Sequence, residues 1–247
     1  MITVTILVKN GARHIQKVLM ALKAFDEIVL VDTGSTDETL AIAKTFANVK
    51  IFQHPFSGFG PSHNYMAGLA THDWILSIDA DEIASEALVE EILSLKLVPN
   101  CVFALSRHNY FRGKFIKGCG WYPDCPYRLY NRKMTSFSDA LVHESIIVDK
   151  LQTKTLQNPL YHYPYNSISD FLAKMQSYST LFAEQYQGKK KASLVKAISH
   201  GLFAFFKSYL LKRGLFLGQE GFIISLYNGH TAYYKYLKLQ ELNRYRQ

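Results

Sequence analysis

The sequence is poor in cysteine, in long apolar runs and in the marks of a targeting segment. Its three cysteines, Cys101, Cys119 and Cys125, form no CxxC pair and have no histidine at zinc-finger spacing, which argues against a disulfide framework or a zinc site and predicts reduced structural thiols. No stretch reaches the roughly 18 uncharged apolar residues of a membrane-spanning helix. Residues 1–10 have neither a basic head nor a small-residue cleavage site, so we expect no signal peptide and a cytoplasmic protein.

Acidic residues are scarce toward the C-terminus. Gly188–Gln247 contains 11 Lys and Arg but 2 Asp and Glu, whereas the preceding 187 residues carry a net charge of −1. A localised basic excess predicts an anionic partner for this end, either membrane lipid or nucleic acid. We expect no nucleic acid, because the sequence has no helix-turn-helix, zinc-finger or RNP-type pattern. The chain as a whole, 48% hydrophobic and 19% charged, has the composition of a folded globular protein.

The first half of the sequence alternates strand patterns with helix patterns. Strands are predicted at Thr3–Val8, Glu27–Asp32, Val49–Gln53 and Trp74–Ile78, and helices at His14–Lys23, Thr39–Phe46 (with Ser35 or Thr36 as its N-cap) and Ser62–Leu69. This order predicts an α/β fold with a mostly parallel central sheet and flanking helices. A helix at Glu86–Leu95 and strands at Cys101–Ser106 and His143–Val148 follow, and the pattern is helical from Ser169 onward.

Polar side chains stand where three of these strands end: Asn10 after the first, Asp32 at the end of the second, and Asp79 and Asp81 after the fourth. In parallel sheets ligands bind beyond the carboxyl ends of the strands, so we expect these residues along one ligand-binding rim. Residues i and i+2 of an extended chain point the same way, and Asp79 and Asp81 can therefore face one ligand. Mg²⁺ held by carboxylates and nucleotide phosphates would explain their crowding. A solvated acidic turn, with Glu82 as a helix-start charge, is the alternative.

The segments DTGSTD, from Asp32, and DADE, from Asp79, lie 47 residues apart and resemble the nucleotide-binding half of family 2 inverting glycosyltransferases of the GT-A fold. The resemblance covers roughly residues 1–85. It implies a UDP-sugar donor bound with Mg²⁺ or Mn²⁺. Asp32 would bind the uracil or ribose, Asp79 the ribose and donor sugar, and Asp81 the diphosphate and metal, with Asp79 as a second metal ligand. His63 stands where the family has Arg or Lys, and it is a further candidate for donor binding.

Other motifs resemble, more narrowly, the lipopolysaccharide-core glucosyltransferases that extend the first heptose of the inner core. They are GFGP from Gly58, GWYPD from Gly120, RLY from Arg128, FSDALVHE from Phe137, KRG from Lys212, GQEGF from Gly218 and KYLKL from Lys235. This likeness implies transfer of glucose from UDP-glucose to an inner-core heptose of a lipid-linked core oligosaccharide. The alternatives are a transferase of the same fold for capsule or O-antigen glycans, and a non-catalytic module that binds sugar nucleotides or membranes.

Inverting transfer requires a base that removes a proton from the acceptor hydroxyl, and a carboxylate is the usual choice. Glu144 is the first candidate and Asp139 the second. His143 is expected to orient a carboxylate or the acceptor, or else to be structural.

Four more residues are candidates for substrate binding. Trp121 and Tyr122 would stack on a sugar face, or else belong to an aromatic core. Arg128 would meet a phosphate of the acceptor or donor, or else lie at the surface. Asp124 shares the GWYPD motif with the two aromatic residues.

The basic end of the chain contains an amphipathic helix pattern. After Lys189–Lys191, apolar residues recur at helical spacing and basic residues flank them: Leu194, Ile198, Leu202, Phe205 and Phe206, with Lys196, Lys207, Lys212 and Arg213. This pattern predicts an anchor on the anionic inner face of the cytoplasmic membrane, or else a helix packed on the catalytic domain. The expected division is a catalytic domain at 1–165, with a nucleotide-binding half at 1–85 and an acceptor half at 86–165, and a membrane-apposed helical extension at 166–247.

Overall fold

The chain forms two compact units in a computed structural model that describes residues 1–139, 145–165 and 167–244. The first unit comprises Met1–His108 and Asp124–His162, and the second comprises Asn109–Pro123 and Tyr163–Gln247. The sequence division placed the segment 109–123 in the acceptor half of the first domain. In the structure its residues Phe111, Ile116 and Cys119 share a core with Phe171 and Ile224, which explains why it joins the second unit. The functional division at residue 165 stays a prediction.

The described residues form a nine-stranded mixed sheet. Its strands are β1 (Ile2–Val8), β2 (Glu27–Asp32), β3 (Val49–Gln53), β4 (Trp74–Asp79), β5 (Glu82–Ala84), β6 (Cys101–Phe111), β7 (Lys114–Phe115), β8 (Tyr127–Asn131) and β9 (Gln152–Tyr165). Their order is β3-β2-β1-β4-β8-β6-β9-β5, and β7 pairs with β6. Strands β1 to β4 pair in parallel, as the sequence predicts, while β8 joins β4 antiparallel and β5 joins β9 antiparallel.

Four helices connect strands of the first unit: α1 (Ala12–Ala21), α2 (Thr39–Ala43), α3 (Phe59–Leu69) and α4 (Glu86–Ser94). Strand β2, EIVLVD, is buried at all six positions because it lies between two parallel neighbours with both faces covered. Helix α1 buries Ile15, Val18 and Leu19 at the spacing of one helix face. The predicted α/β architecture is confirmed by these elements.

Several local features of the structure differ from the prediction. The N-cap of α2 is Glu38 rather than Ser35 or Thr36, and α3 begins at Phe59 rather than at the predicted Ser62. Within the described part of 143–148, Ile146 makes one isolated bridge, to Phe137. Strands β5, β7, β8 and β9 were not predicted; β9 contains two prolines and many polar residues, a composition typical of loops.

The second unit is mainly helical: α5 (Ile168–Tyr186), α6 (Leu194–Phe206), a π-helical turn (Lys207–Leu211), a 3₁₀ turn (Gly214–Leu217) and α7 (Gly218–Arg244). Ser167 and Asp170 form a capping box that begins α5, and Ser193 caps α6. Helix α7 packs along both α5 and α6. The helical pattern predicted from Ser169 onward is thereby confirmed.

Candidate active site

The loops that follow β1 and β2 are joined by side-chain hydrogen bonds at the carboxyl end of the sheet. The backbone N–H of Asn10 donates to Oγ of Ser35 over 2.8 Å, and Oδ1 of Asn10 accepts from the N–H of Thr36 over 2.8 Å. The N–H of Ala12, at the start of α1, donates to Oδ2 of Asp37 over 3.1 Å. Hydrogen bonds from Thr39 and Ala12 hold the pKa of Asp37 below its usual range. The DTGSTD segment therefore builds the rim on which Asn10 lies.

Asp32 is buried at the base of this rim. Its carboxylate accepts from the N–H of Gly34 over 3.2 Å and from that of Ser35 over 3.1 Å, so it shapes its own loop. These contacts place Asp32 beside Asn10 and Ser35, as the predicted rim requires. Its contact with uracil or ribose stays a prediction.

Asp79 ends β4 with its side chain 36% exposed. The buried guanidinium of Arg128, on β8, forms an ion pair with Oδ2 of Asp79, and Nη1 of Arg107 lies 4.0 Å from the same oxygen. Desolvation is the largest influence on Asp79 and opposes its ionisation, but the nearby positive charges, that of Arg128 foremost, together outweigh it and the pKa is lowered. The Asp79 carboxylate is therefore held as an anion, and Arg128 lies in the site rather than at the surface.

Glu82 explains how three carboxylates can crowd into one turn. It is fully buried, and its Oε1 accepts from Nη1 of Arg107 over 2.9 Å and from Nη2 of Arg128 over 3.3 Å. Its Oε2 accepts from the N–H of Asp79 over 2.9 Å. Two arginines thus neutralise the buried charge, and Glu82 fixes the backbone of the turn instead of acting as a helix-start charge. Arg107 also donates to Asp124 over 2.8 Å, which ties that candidate to the same network.

Asp81 projects from the turn between β4 and β5 with its side chain 34% exposed. Its Oδ1 lies 3.6 Å from Nε2 of His162, a residue of β9. Carboxylate and imidazole are both metal ligands, so the pair fits a divalent ion that takes its other ligands from water and a diphosphate. Among the described residues no three His, Cys, Asp or Glu side chains group as a complete metal site. A metal ion held here would need further ligands from water or from a substrate.

His63, on α3, lies beneath the acidic turn. Its ring is buried, contacts Oγ of Ser77 through Nδ1 at 3.1 Å and stacks on Phe137 with ring centroids 4.3 Å apart. Burial lowers its pKa to about 4, although the nearby charge of Asp79 acts in the opposite direction. His63 is consequently neutral at physiological pH, and its predicted contact with the donor stays a prediction.

The remaining candidates belong to the second unit, are exposed, or fall outside the described residues. Trp121 and Tyr122 belong to the second unit, where Trp121 stacks on Tyr165 with centroids 5.6 Å apart and Tyr122 meets Phe115 edge-on at 5.2 Å. Asp139 is exposed. His143 and Glu144 fall outside the described residues.

Sequence reasoning missed Arg107 and His162. Each reaches the acidic turn through strand pairing across the sheet, and neither belongs to a motif with characteristic spacing. His162 stands opposite Glu82 in the β5–β9 register. The one signal available was indirect: a buried carboxylate such as Glu82 requires a cation, and Arg107 ends a run of strand-like residues.

Comparison with known sequences gives a family and relatives. The profile of the family described as "Glycosyl transferase family 2" matches residues 3–147. An uncharacterized glycosyltransferase of Rickettsia bellii is 29% identical over 264 residues, covering 98% of this chain and 87% of the relative. The lipopolysaccharide core biosynthesis glycosyltransferase LpsC of Rhizobium meliloti is 24% identical over 244 residues, covering 94% of this chain and 89% of LpsC.

Solved structures give a likeness of fold. The chain is similar to S. aureus TarS 1-349 in complex with UDP-GlcNAc, with a TM-score of 0.53, 15% identity and coverage of 100% of this chain and 91% of TarS 1-349. It is also similar to the mannosyltransferase PcManGT from Pyrobaculum calidifontis in complex with GDP-Man and Mn²⁺, with a TM-score of 0.54, 14% identity and coverage of 100% and 87%.

Proposed function

This chain belongs to glycosyl transferase family 2 and has the GT-A fold, and from that premise we propose that it transfers glucose from UDP-glucose to an inner-core heptose of a lipid-linked oligosaccharide. Family membership makes the protein a glycosyltransferase with a nucleotide-sugar donor. The donor sugar, the acceptor, the metal and the cellular setting are the parts that the proposal adds.

The observation that carries the proposal is the pair formed by Asp81 and His162 beside the fixed anion of Asp79. A divalent ion, Mg²⁺ or Mn²⁺, held by Asp81 and His162 would neutralise charge on the diphosphate of the leaving nucleotide. The chain's own contribution is positional. Arg128 and Glu82 fix Asp79 as an ionised acceptor for hydroxyl groups of the ribose and donor sugar, and the loop built by Asp32 forms the nucleotide side of the rim.

Transfer with inversion needs one proton acceptor. The acceptor hydroxyl oxygen attacks the anomeric carbon from the face opposite the diphosphate, the bond from that carbon to the diphosphate oxygen breaks, and the hydroxyl proton passes to a carboxylate. Glu144 is our first candidate for this base and Asp139 the second. Substitution by Gln or Asn, respectively, should reduce turnover by about 10²-fold for whichever residue is the base and leave donor binding unchanged.

The acceptor and setting are proposed from the narrower sequence resemblance and from LpsC, whose name places that relative in lipopolysaccharide core biosynthesis. Trp121, Tyr122, Asp124, Arg128 and His143 are the acceptor-side candidates. A lipid-linked acceptor would be met at the anionic inner face of the cytoplasmic membrane, so we place the protein in the cytoplasm and peripherally on that membrane. The basic C-terminal extension supports this placement.

A donor and acceptor screen tests the proposal. UDP- and GDP-sugars are compared by thermal shift with and without Mn²⁺, since a ligand that binds the native state raises its stability. UDP-glucose should give the largest metal-dependent shift. Transfer is then measured to core heptose acceptors, capsule glycans and O-antigen glycans. Faster transfer to capsule or O-antigen glycans than to core heptose would contradict the proposed acceptor. Absence of both sugar transfer and hydrolysis of the sugar nucleotide would favour the non-catalytic alternative.

A further inference from the structure

Helix α6 of the second unit is packed through its small residues. Ala197 and Gly201 are buried, as is Ser208 in the π-helical turn that continues the helix. A Cβ atom on Gly201 would lie 3.0 Å from Cβ of Tyr233 on α7, so the two helices approach closely there. Small residues therefore occupy the inner face of α6, where larger apolar side chains would ordinarily pack.

The large apolar side chains of the same helix face outward. Those of α6 and its π-helical continuation that are exposed form what we call the apolar face: Leu194, Val195, Ile198, Leu202, Phe203, Phe206, Leu210 and Leu211. Five of these residues follow each other at intervals of four, the spacing of one helix face. A contiguous exposed apolar surface of this kind marks an interaction site.

The 3₁₀ turn exposes two further apolar side chains, Leu215 and Phe216, which we call the tip. Phe216 is 80% exposed. The backbone beneath the tip is closely packed, because a Cβ on Gly221 would lie only 1.9 Å from the carbonyl oxygen of Gly214. The close packing of this turn therefore fixes the backbone of the tip, and its two apolar side chains are exposed in the folded unit.

Basic side chains accompany the apolar ones. Lys196, Lys207, Lys212 and Arg213 are exposed on or beside the apolar face. A cavity of about 480 Å³ next to the tip is lined by Lys117, Gly118, Arg213, Phe216 and Leu217, which combine two cations with apolar walls. Anionic head groups joined to acyl chains match this combination, whereas a purely apolar protein partner would leave the cations unpaired.

We propose that the apolar face and the tip dock into the interfacial layer of an anionic lipid bilayer, with α6 lying in the plane of the membrane. Among the described residues Leu194–Leu211 is the stretch long and apolar enough to cross a bilayer. Lys196 and Lys207 lie within it, and its small-residue face is already packed on α7. Both features favour a surface-lying helix. The inference deepens the proposed function by naming the surface that meets the acceptor's membrane, but its observations come from the second unit alone.

Vesicle co-sedimentation of the full chain tests this surface. The variant F203S/F216S removes two exposed aromatic side chains, and M20S/L93S is the control because Met20 and Leu93 are large apolar residues of the first unit that are also more than half exposed. On phosphatidylcholine vesicles that contain phosphatidylglycerol, F203S/F216S should lose at least about tenfold in partition coefficient, while the control binds like the parent chain. K207Q/K212Q should weaken binding more at low salt than at high salt, and K17Q/K23Q should not.

Two results would overturn the proposal. One is equal vesicle binding by the parent chain and F203S/F216S. The other is a parent chain that does not bind vesicles but forms a dimer, while F203S/F216S is monomeric. That result would show that the surface binds a second copy of the chain. Melting temperatures and the UDP-glucose thermal shift are measured on every variant. A parent chain that binds vesicles but not UDP-glucose would refute the proposed donor and leave the membrane surface standing.

Discussion

Two buried glutamates lie at opposite ends of the parallel sheet and meet different surroundings. Glu27, at the amino end of β2, accepts hydrogen bonds from Lys50, Thr71 and Thr3. Glu82, just beyond the carboxyl end of β4, is held by Arg107 and Arg128. The hydrogen bonds described for Glu27 join it to Lys50, Thr71 and Thr3, none of which is a candidate site residue. The Glu82 network continues through Arg128 to Asp79 and adjoins Asp81, and both of those carboxylates are about one-third exposed.

The difference teaches that a paired buried carboxylate alone does not indicate a site. At the carboxyl end, Arg107 and Arg128 lie near both the buried Glu82 and the partly exposed Asp79. These arginines therefore stabilise the fold and also hold a carboxylate that a ligand can reach. At the amino end, Lys50 pairs with the buried Glu27. Substitutions at matched positions of the two ends should therefore separate effects on turnover from effects on folding.

The largest expected effect is that of Asp81→Asn. Loss of the exposed carboxylate should reduce turnover by about 10³-fold and abolish the Mn²⁺-dependent thermal shift with UDP, with no loss of stability, because Asp81 is partly solvated. Asp26→Asn, an exposed acid at the amino end, is the control and should leave both unchanged. Equal UDP binding with Mn²⁺ in Asp81→Asn and the parent chain would show that the rim holds no metal through this residue.

Arg128→Met should affect both properties. The variant leaves the buried Glu82 with one cation and Asp79 without its ion pair, and breaking a buried pair costs about 3–5 kcal/mol of unfolding free energy. Turnover at a temperature where the variant stays folded should also fall, because the pKa of Asp79 rises when Arg128 no longer lowers it. Urea unfolding and an activity assay at several pH values measure the two effects. An unaltered pH profile of activity would argue that Asp79 is not functionally linked to Arg128.

Glu27→Gln should change stability alone. Burial opposes ionisation of Glu27, but its hydrogen bonds with Lys50, Thr3 and Thr71 outweigh burial and lower its pKa from 4.5 to about 2. The folded-state pKa is depressed, so the stabilisation is present above pH 4.5 and is lost as pH falls toward 2; it amounts to roughly 3 kcal/mol at neutral pH. Urea unfolding at pH 7 and pH 3 should show a smaller decrease for Glu27→Gln than for the parent chain, with turnover at pH 7 retained.

Lys50→Met should have the smallest effect. It makes the same cation-to-methionine change as Arg128→Met, but the Lys50 side chain is 58% exposed, and Glu27 keeps its hydrogen bonds from Thr3 and Thr71 when Lys50 is lost. We expect a loss of about 1 kcal/mol or less in urea unfolding and no change in turnover. A loss as large as that of Arg128→Met would erase the contrast between the two ends.

Sequence patterns predicted the features that depend on neighbouring residues, such as strand bounds and the position of the acidic turn. Strands β2 and β3 were predicted with their observed bounds, and for β2 the reason is that a short apolar run between turn residues suits a buried parallel strand. The acidic turn and its place at a strand end were predicted for the same reason. The cations and imidazole around this turn were predicted only in part: Arg128 was a candidate, whereas Arg107 and His162 come near Glu82 and Asp81 only through the registers of later strands. The unit to which the segment 109–123 belongs likewise depends on contacts with residues more than fifty positions away along the chain.

The pairing of β5 with β9 has a consequence for the order in which the protein is made. Asp81 leaves the ribosome early, with β1 to β4, whereas His162 on β9 emerges about 80 residues later. A nascent chain can therefore complete its parallel strands while the acidic turn still lacks Arg128 and then His162. Under the proposed function, donor and metal would bind well only after β9 has been translated. Translation of β9, the latest of the described strands in chain order, would thus determine when the enzyme becomes active.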